Sequence, residues 1–135
     1  MIKNNSLILL CALILLFTED ALSMDDCILD DKATTNEAKK YIQCLDRNIA
    51  NLKRTQKTWI NKLNLDLEKI QEDTGNTQLL PIFTRSLTSH TRFLEDNCRW
   101  RYLQKMPNAT QAAIVYKRCE ILLLDQYIAT LKQPL

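Results

Sequence analysis

The amino-acid sequence predicts an all-α fold: an antiparallel three-helix bundle with a disulfide-tethered N-terminal segment and two disulfides. Three observations predict it. The 135 residues include one glycine and three prolines, and no stretch sustains the apolar–polar alternation of a strand. Three segments instead repeat apolar residues at steps of three and four, the pattern of amphipathic helices. Finally, Cys27, Cys44, Cys98 and Cys119 form an even set in a short chain that reads as exported, the setting in which cysteines pair with one another.

The export reading comes from residues 1–23, which are expected to be a signal peptide. Lys3 supplies a positive start, Leu7 to Phe17 is uncharged and apolar, and Ala21-Leu22-Ser23 places small residues where a signal peptidase cuts. The apolar run is far shorter than the roughly 20 residues a membrane-spanning helix needs, so no stable membrane insertion is expected after cleavage. Cys11 lies inside that run and leaves with it. Residues 24–135 are then expected to be a single helical domain, periplasmic or secreted.

The first helix has a start signal at Thr34-x-x-Glu37, a spacing at which the two side chains satisfy each other's backbone donors. Its apolar stripe runs through Tyr41, Leu45, Ile49, Leu52, Trp59, Leu63, Leu67 and Ile70, with Gln56 as a polar interruption. Gly75 offers a left-handed cap at its end. A second helix is expected from about Leu79 to Leu103. Pro81 is tolerable in its first turn, and Phe83, Leu87, Leu94, Cys98 and Tyr102 lie near one face. Met106-Pro107-Asn108 closes it. The third helix opens at Asn108, with Gln111 at capping-box spacing, and carries Ala112, Val115, Tyr116, Cys119, Leu122, Leu123 and Tyr127 as its expected packing face.

Four cysteines allow three connectivities. The midpoint between Cys98 and Cys119 falls at Pro107-Asn108, the turn of a helical hairpin, so folding there sets the two cysteines opposite each other. The midpoint between Cys27 and Cys44 falls at Thr35-Asn36, where the N-terminal segment meets the first helix. Pairing 27 with 44 and 98 with 119 therefore meets the ~5.5 Å Cα separation a disulfide needs. A zinc site lacks the close C-x-x-C pairs it would use, so no metal is expected.

Charge and side-chain chemistry narrow the function. The formal net charge is +2 with no long run of one sign, too little for a nucleic-acid footprint. His90 is the single histidine, and no nucleophile motif accompanies it; it reads as a structural side chain. Glu68 with Glu72, and Glu95 with Asp96, sit at spacings typical of a solvated helix face rather than of a glycosidase pair. No catalytic residue and no cofactor are expected, and the chain reads as a protein-binding protein. Asn108-Ala109-Thr110 matches a glycosylation sequon, which matters only in a eukaryotic secretory pathway.

Phe93-Leu94-Glu95-Asp96-Asn97-Cys98-Arg99-Trp100, then Ala112-Ala113-Ile114-Val115-Tyr116-Lys117-Arg118-Cys119 and a Leu-rich helix to Leu131, resemble the small exported bacterial proteins of the LprI-like lysozyme-inhibitor family. The resemblance implies export to the envelope and binding of a lysozyme by steric blocking, without chemistry. The resemblance assigns no contact residue; charge and side-chain chemistry offer two candidate groups. Asp25, Asp26, Asp30 and Asp31 would complement a cationic enzyme, against a plainer reading as a solubilising end. Arg99, Trp100 and Arg101 form the second group, with Trp100 either an exposed anchor or a packing residue.

A rival class is an envelope structural or assembly factor that pairs through the first helix. Its near-heptad stripe of Ile42, Leu45, Ile49, Leu52, Gln56, Trp59 and Leu63 suits a coiled-coil seam, and a dimer would follow from it. A eukaryotic secreted helical signal or carrier protein is a third.

Overall fold

The computed structural model describes residues 24–134; the signal peptide expected over residues 1–23 lies outside the described residues. Helix α1 spans Thr35–Thr74, α2 Leu79–Lys105 and α3 Ala109–Leu131, and the described residues contain no strand. Each boundary has a local cause. The Thr34 hydroxyl accepts from the Glu37 N–H, and the Glu37 carboxylate accepts from the Thr34 N–H, so the expected capping box forms in full. Gly75 ends α1 at φ 72°, and its N–H donates to the Gln71 carbonyl. Asn108 caps α3 by accepting from the Gln111 N–H at 3.0 Å.

The three helices run up, down and up. Cys98 is bonded to Cys119 and Tyr102 meets Tyr116 edge to face, so α2 and α3 are antiparallel. Lys53 pairs with Glu120 and Lys117 with Asp46, so α3 lies parallel to the first half of α1. Helix α3 packs broadly against both others, while α1 and α2 touch each other over a much smaller area. It is the central element.

That position corrects the expected face of α3. Its deeply buried residues are Ala112, Ile114, Glu120, Leu124, Ile128 and Leu131, whereas Val115, Tyr116, Cys119, Leu123 and Tyr127 are only half-buried and Leu122 is exposed. A helix between two neighbours buries two stripes, and the sequence pattern had singled out the one that faces α2. The stripe that faces α1 builds the core. Ile49 and Leu52 join Leu124 and Ile128 in one cluster, roofed by Trp59, Leu94 and Ile121. Tyr41, Leu45 and Ile114 form the second, against Cys27, Leu29 and Ile42. Leu45, Ile49 and Leu52 of the near-heptad stripe are thus turned onto α3 within the chain.

Both disulfides pair as expected, Cys27 with Cys44 and Cys98 with Cys119, at Cα separations of 5.8 and 5.5 Å. Two structural disulfides point to an oxidising compartment. Among the described residues, no helix is long and apolar enough to cross a membrane.

Candidate binding surfaces

The acidic residues lie on the segment before α1, which runs extended along that helix. Asn48, buried on α1, holds its start from both sides: the Asp25 N–H donates to Asn48 Oδ1 and Asn48 Nδ2 donates to the Asp25 carbonyl, each at 2.9 Å. Arg47 Nε donates to the Asp25 carboxylate at 3.0 Å. The bridge to Cys44 pins the segment two residues on, and Leu29 packs into the Tyr41 cluster. Extended backbone alternates its side chains, so with Cys27 and Leu29 turned in, Asp26, Ile28 and Asp30 turn out. Ile28 is 86% exposed.

The four aspartates therefore do not act alike. Asp25 belongs to the tether. Asp30 closes a turn, its Oδ1 accepting from the Lys32 N–H at 2.9 Å and its carbonyl from the Ala33 N–H at 3.1 Å. Asp26 and Asp31 are exposed and have no ion pair among the described residues.

The second group divides as well. Trp100 is half-exposed; its Nε1–H donates to Asn97 Oδ1 at 3.2 Å, and the Arg101 guanidinium lies 4.4 Å from its ring centroid. Arg99 points elsewhere and lines a pocket with Glu95, Tyr102, Tyr116 and Lys117. The structure joins Trp100 to Arg101 but not to Arg99, because Trp100 and Arg101 share the Asn97 Oδ1 acceptor on the preceding turn.

A cleft of about 260 Å³ opens where the three helices meet; its polar lining is Lys53, Gln56, His90, Glu95, Tyr116 and Glu120, and Leu94 and Leu124 add an apolar part. Lys53 Nζ sits 2.7 Å from the mostly buried Glu120 carboxylate, tying α1 to α3. His90 stacks on Tyr127 with ring centroids 3.5 Å apart and planes 10° from parallel. Burial lowers the His90 pKa, a bond to the Leu123 carbonyl opposing it. Burial also raises the Tyr116 hydroxyl, helped by the nearby Glu120 and Glu95 carboxylates. Among the described residues, no three metal-ligating side chains gather. Within the cleft Lys53 and Glu120 are committed to each other by ion pairing, and His90 is held from outside it by its stack on Tyr127.

Sequence reasoning missed Asn48, Ile28 and the Lys53–Glu120 pair. Asn48 had a readable signal, a polar residue next to Ile49 on the core-facing stripe. Glu120 had the same one on α3. Ile28, an apolar side chain between pairs of aspartates, had none until the alternation of the tethered backbone was known.

The fold and these surfaces define a disulfide-clamped helical bundle that presents an acidic tethered segment at one end. Compared with family models, with characterised proteins and with solved structures, the chain matches none.

Proposed function

We propose that this chain is an exported binding protein that inhibits a lysozyme-type muramidase by steric blocking, through the tethered segment Asp25–Asp31. The observation that carries the reading is Ile28, 86% exposed on a segment held by a disulfide and a buried asparagine. An exposed apolar side chain on a pre-ordered backbone loses little conformational entropy on docking. The outward Asp26 and Asp31 complement a cationic cleft and speed the encounter. The resemblance of Phe93–Leu131 to the lysozyme-inhibitor family supplies the identity of the target.

Titrating the oxidised protein against several muramidase classes, with cell-wall lysis as the readout, tests it. Stoichiometric inhibition is expected, weakening as salt rises. The Ile28→Ala and Asp26→Asn/Asp31→Asn variants should each raise the inhibition constant about 10-fold or more. If no class is slowed at ~100-fold molar excess, the reading is wrong. The rival pairing through α1 has lost much of its surface, since Leu45, Ile49 and Leu52 are buried against α3.

A further inference from the structure

Helix α2 fully buries only Cys98, yet it carries four large apolar side chains that face solvent: Ile82 at 50% exposure, Phe93 at 55%, Trp100 at 50% and Leu103 at 59%. Its inward stripe of Phe83, Leu87, His90, Leu94, Cys98 and Tyr102 already meets the bundle. The outward residues belong to a second stripe. Positions 82, 89, 96 and 103 repeat every seven residues, and 79, 86, 93 and 100 fall between them, so the steps alternate three and four. Those are the a and d positions of a coiled-coil seam, five of them filled by the apolar Leu79, Ile82, Phe93, Trp100 and Leu103 and three by Ser86, Ser89 and Asp96. One helix therefore carries two seams, one of them unpartnered among the described residues.

We propose that this second seam pairs with the same seam of a second copy of the chain, antiparallel and two-fold symmetric about residue 91. The sequence is self-complementary in that register. Ile82 lies opposite the partner's Trp100, and Ser89 lies opposite the partner's Phe93, so a small residue receives a large one and the contact occurs twice. Ser86, whose hydroxyl is bonded within the chain to the Phe83 carbonyl and to Tyr127, lies opposite the partner's Asp96, and that register brings the exposed Arg85 beside the partner's Asp96 carboxylate. Neither Arg85 nor Asp96 has an ion-pair partner among the described residues. At the ends, Leu103 reaches the partner's Leu79. A parallel in-register pair would instead stack Phe93 on Phe93 and set Asp96 against Asp96, which like-charge repulsion disfavours. An interface that matches itself under a two-fold axis points to a second copy rather than to an unrelated protein. This pairing does not rest on the inhibitor reading, because the acidic segment lies elsewhere in the fold.

Sedimentation of the oxidised exported protein over a range of concentrations tests the proposal. A monomer–dimer equilibrium is expected, and Phe93→Glu should raise its dissociation constant ~100-fold while leaving helicity unchanged, and leaving the melting temperature unchanged at concentrations where both proteins are monomeric, because Phe93 is exposed in the single chain. The register is tested by charge exchange. Arg85→Asp and Asp96→Arg alone should each weaken the dimer about 10-fold, and the combined variant should recover it. A protein that stays monomeric at ~100 µM overturns the proposal. So does a dimer indifferent to Phe93→Glu, or a double exchange without recovery. A monomer whose muramidase inhibition is lost with Phe93→Glu would overturn it too and give this face to the enzyme.

Discussion

At the scale of single residues, the side chain with most influence on the N-terminal segment is an uncharged one on another element. Asn48 satisfies both backbone groups of Asp25 from a buried position and also donates to Cys27 Sγ, so truncating it removes three hydrogen bonds at once. Asn48→Ala should cost about 1–3 kcal/mol. Urea titration measures that, and limited proteolysis should cut the variant between Met24 and Ala33 first. His90 is the side chain expected to respond to pH near neutrality. Its folded pKa lies below the ordinary 6.5, so the unfolded chain binds the extra proton, and stability is present above that value and lost as pH falls through the folded pKa. Glu37 is also depressed, by the Thr34 hydrogen bonds, but from 4.5. His90 is therefore expected to contribute a loss of stability that begins between those values. His90→Phe, which keeps the stack on Tyr127, should flatten the melting-temperature profile between about pH 7 and pH 5; an unchanged profile would assign the response to another group. The cysteines and the Thr34–Glu37 cap were legible in the sequence because their chemistry is local or counted. Asn48 and Glu120 were legible only as polar residues at core-facing positions, and their roles were not, because the partner that makes each of them matter sits on a different element.

At the scale of elements, the two disulfides clamp different things. Cys98 is the one fully buried residue that α2 contributes, and its bridge to Cys119 holds α2 against α3. Cys27–Cys44 holds only the extended segment. The two bridges close loops of similar length, 17 and 21 residues apart, so chain entropy alone would give each about 2–4 kcal/mol. What each loss releases differs. Cys98→Ser/Cys119→Ser should free α2, seen as a change in Trp100 fluorescence and a broadened, lower melting transition. Cys27→Ser/Cys44→Ser should keep the bundle's helicity while abolishing muramidase inhibition. Should inhibition survive that second variant in full, the tethered segment is not the contact surface. Helix existence and pairing were readable here because the Thr34 capping box, the Asn108 cap, Gly75 and the midpoint between paired cysteines all act over short stretches of chain. The faces of α3 were read only in part, since a helix with two neighbours does not show in its own pattern which neighbour it buries more against.

At the scale of the whole molecule, the order of the layers decides where stability is concentrated. Helix α3 lies between α1 and α2 and ends at Leu131, whereas α1 continues past it to Thr74. Ile49, Leu52, Leu124 and Ile128 make the better-buried cluster, and Leu52 is 1% exposed. The far end of α1 is thinner. Beyond Leu67, Ile70 and Gln71 are half-buried while Glu68, Lys69, Glu72, Asp73 and Thr74 are exposed, and Lys69–Asp73 is a solvated ion pair worth little. Local opening follows burial, so the molecule should open from that end before it opens from its middle. Native-state hydrogen exchange gives the test. Amides of α3 from Ile114 to Ile128 should exchange only with global unfolding, with a denaturant dependence equal to that of the whole transition. Amides from Ile70 to Thr74 should exchange through smaller openings that denaturant hardly affects. Leu124→Ala, which empties a core position shared by α1 and α3, should cost about 2–5 kcal/mol and lower the protection of α3 and the middle of α1 by the same factor. It should leave exchange at the far end of α1 untouched. Protection that falls equally along α1 out to Thr74 would mean that the long helix opens as one unit, and that the layer order does not partition stability in this way.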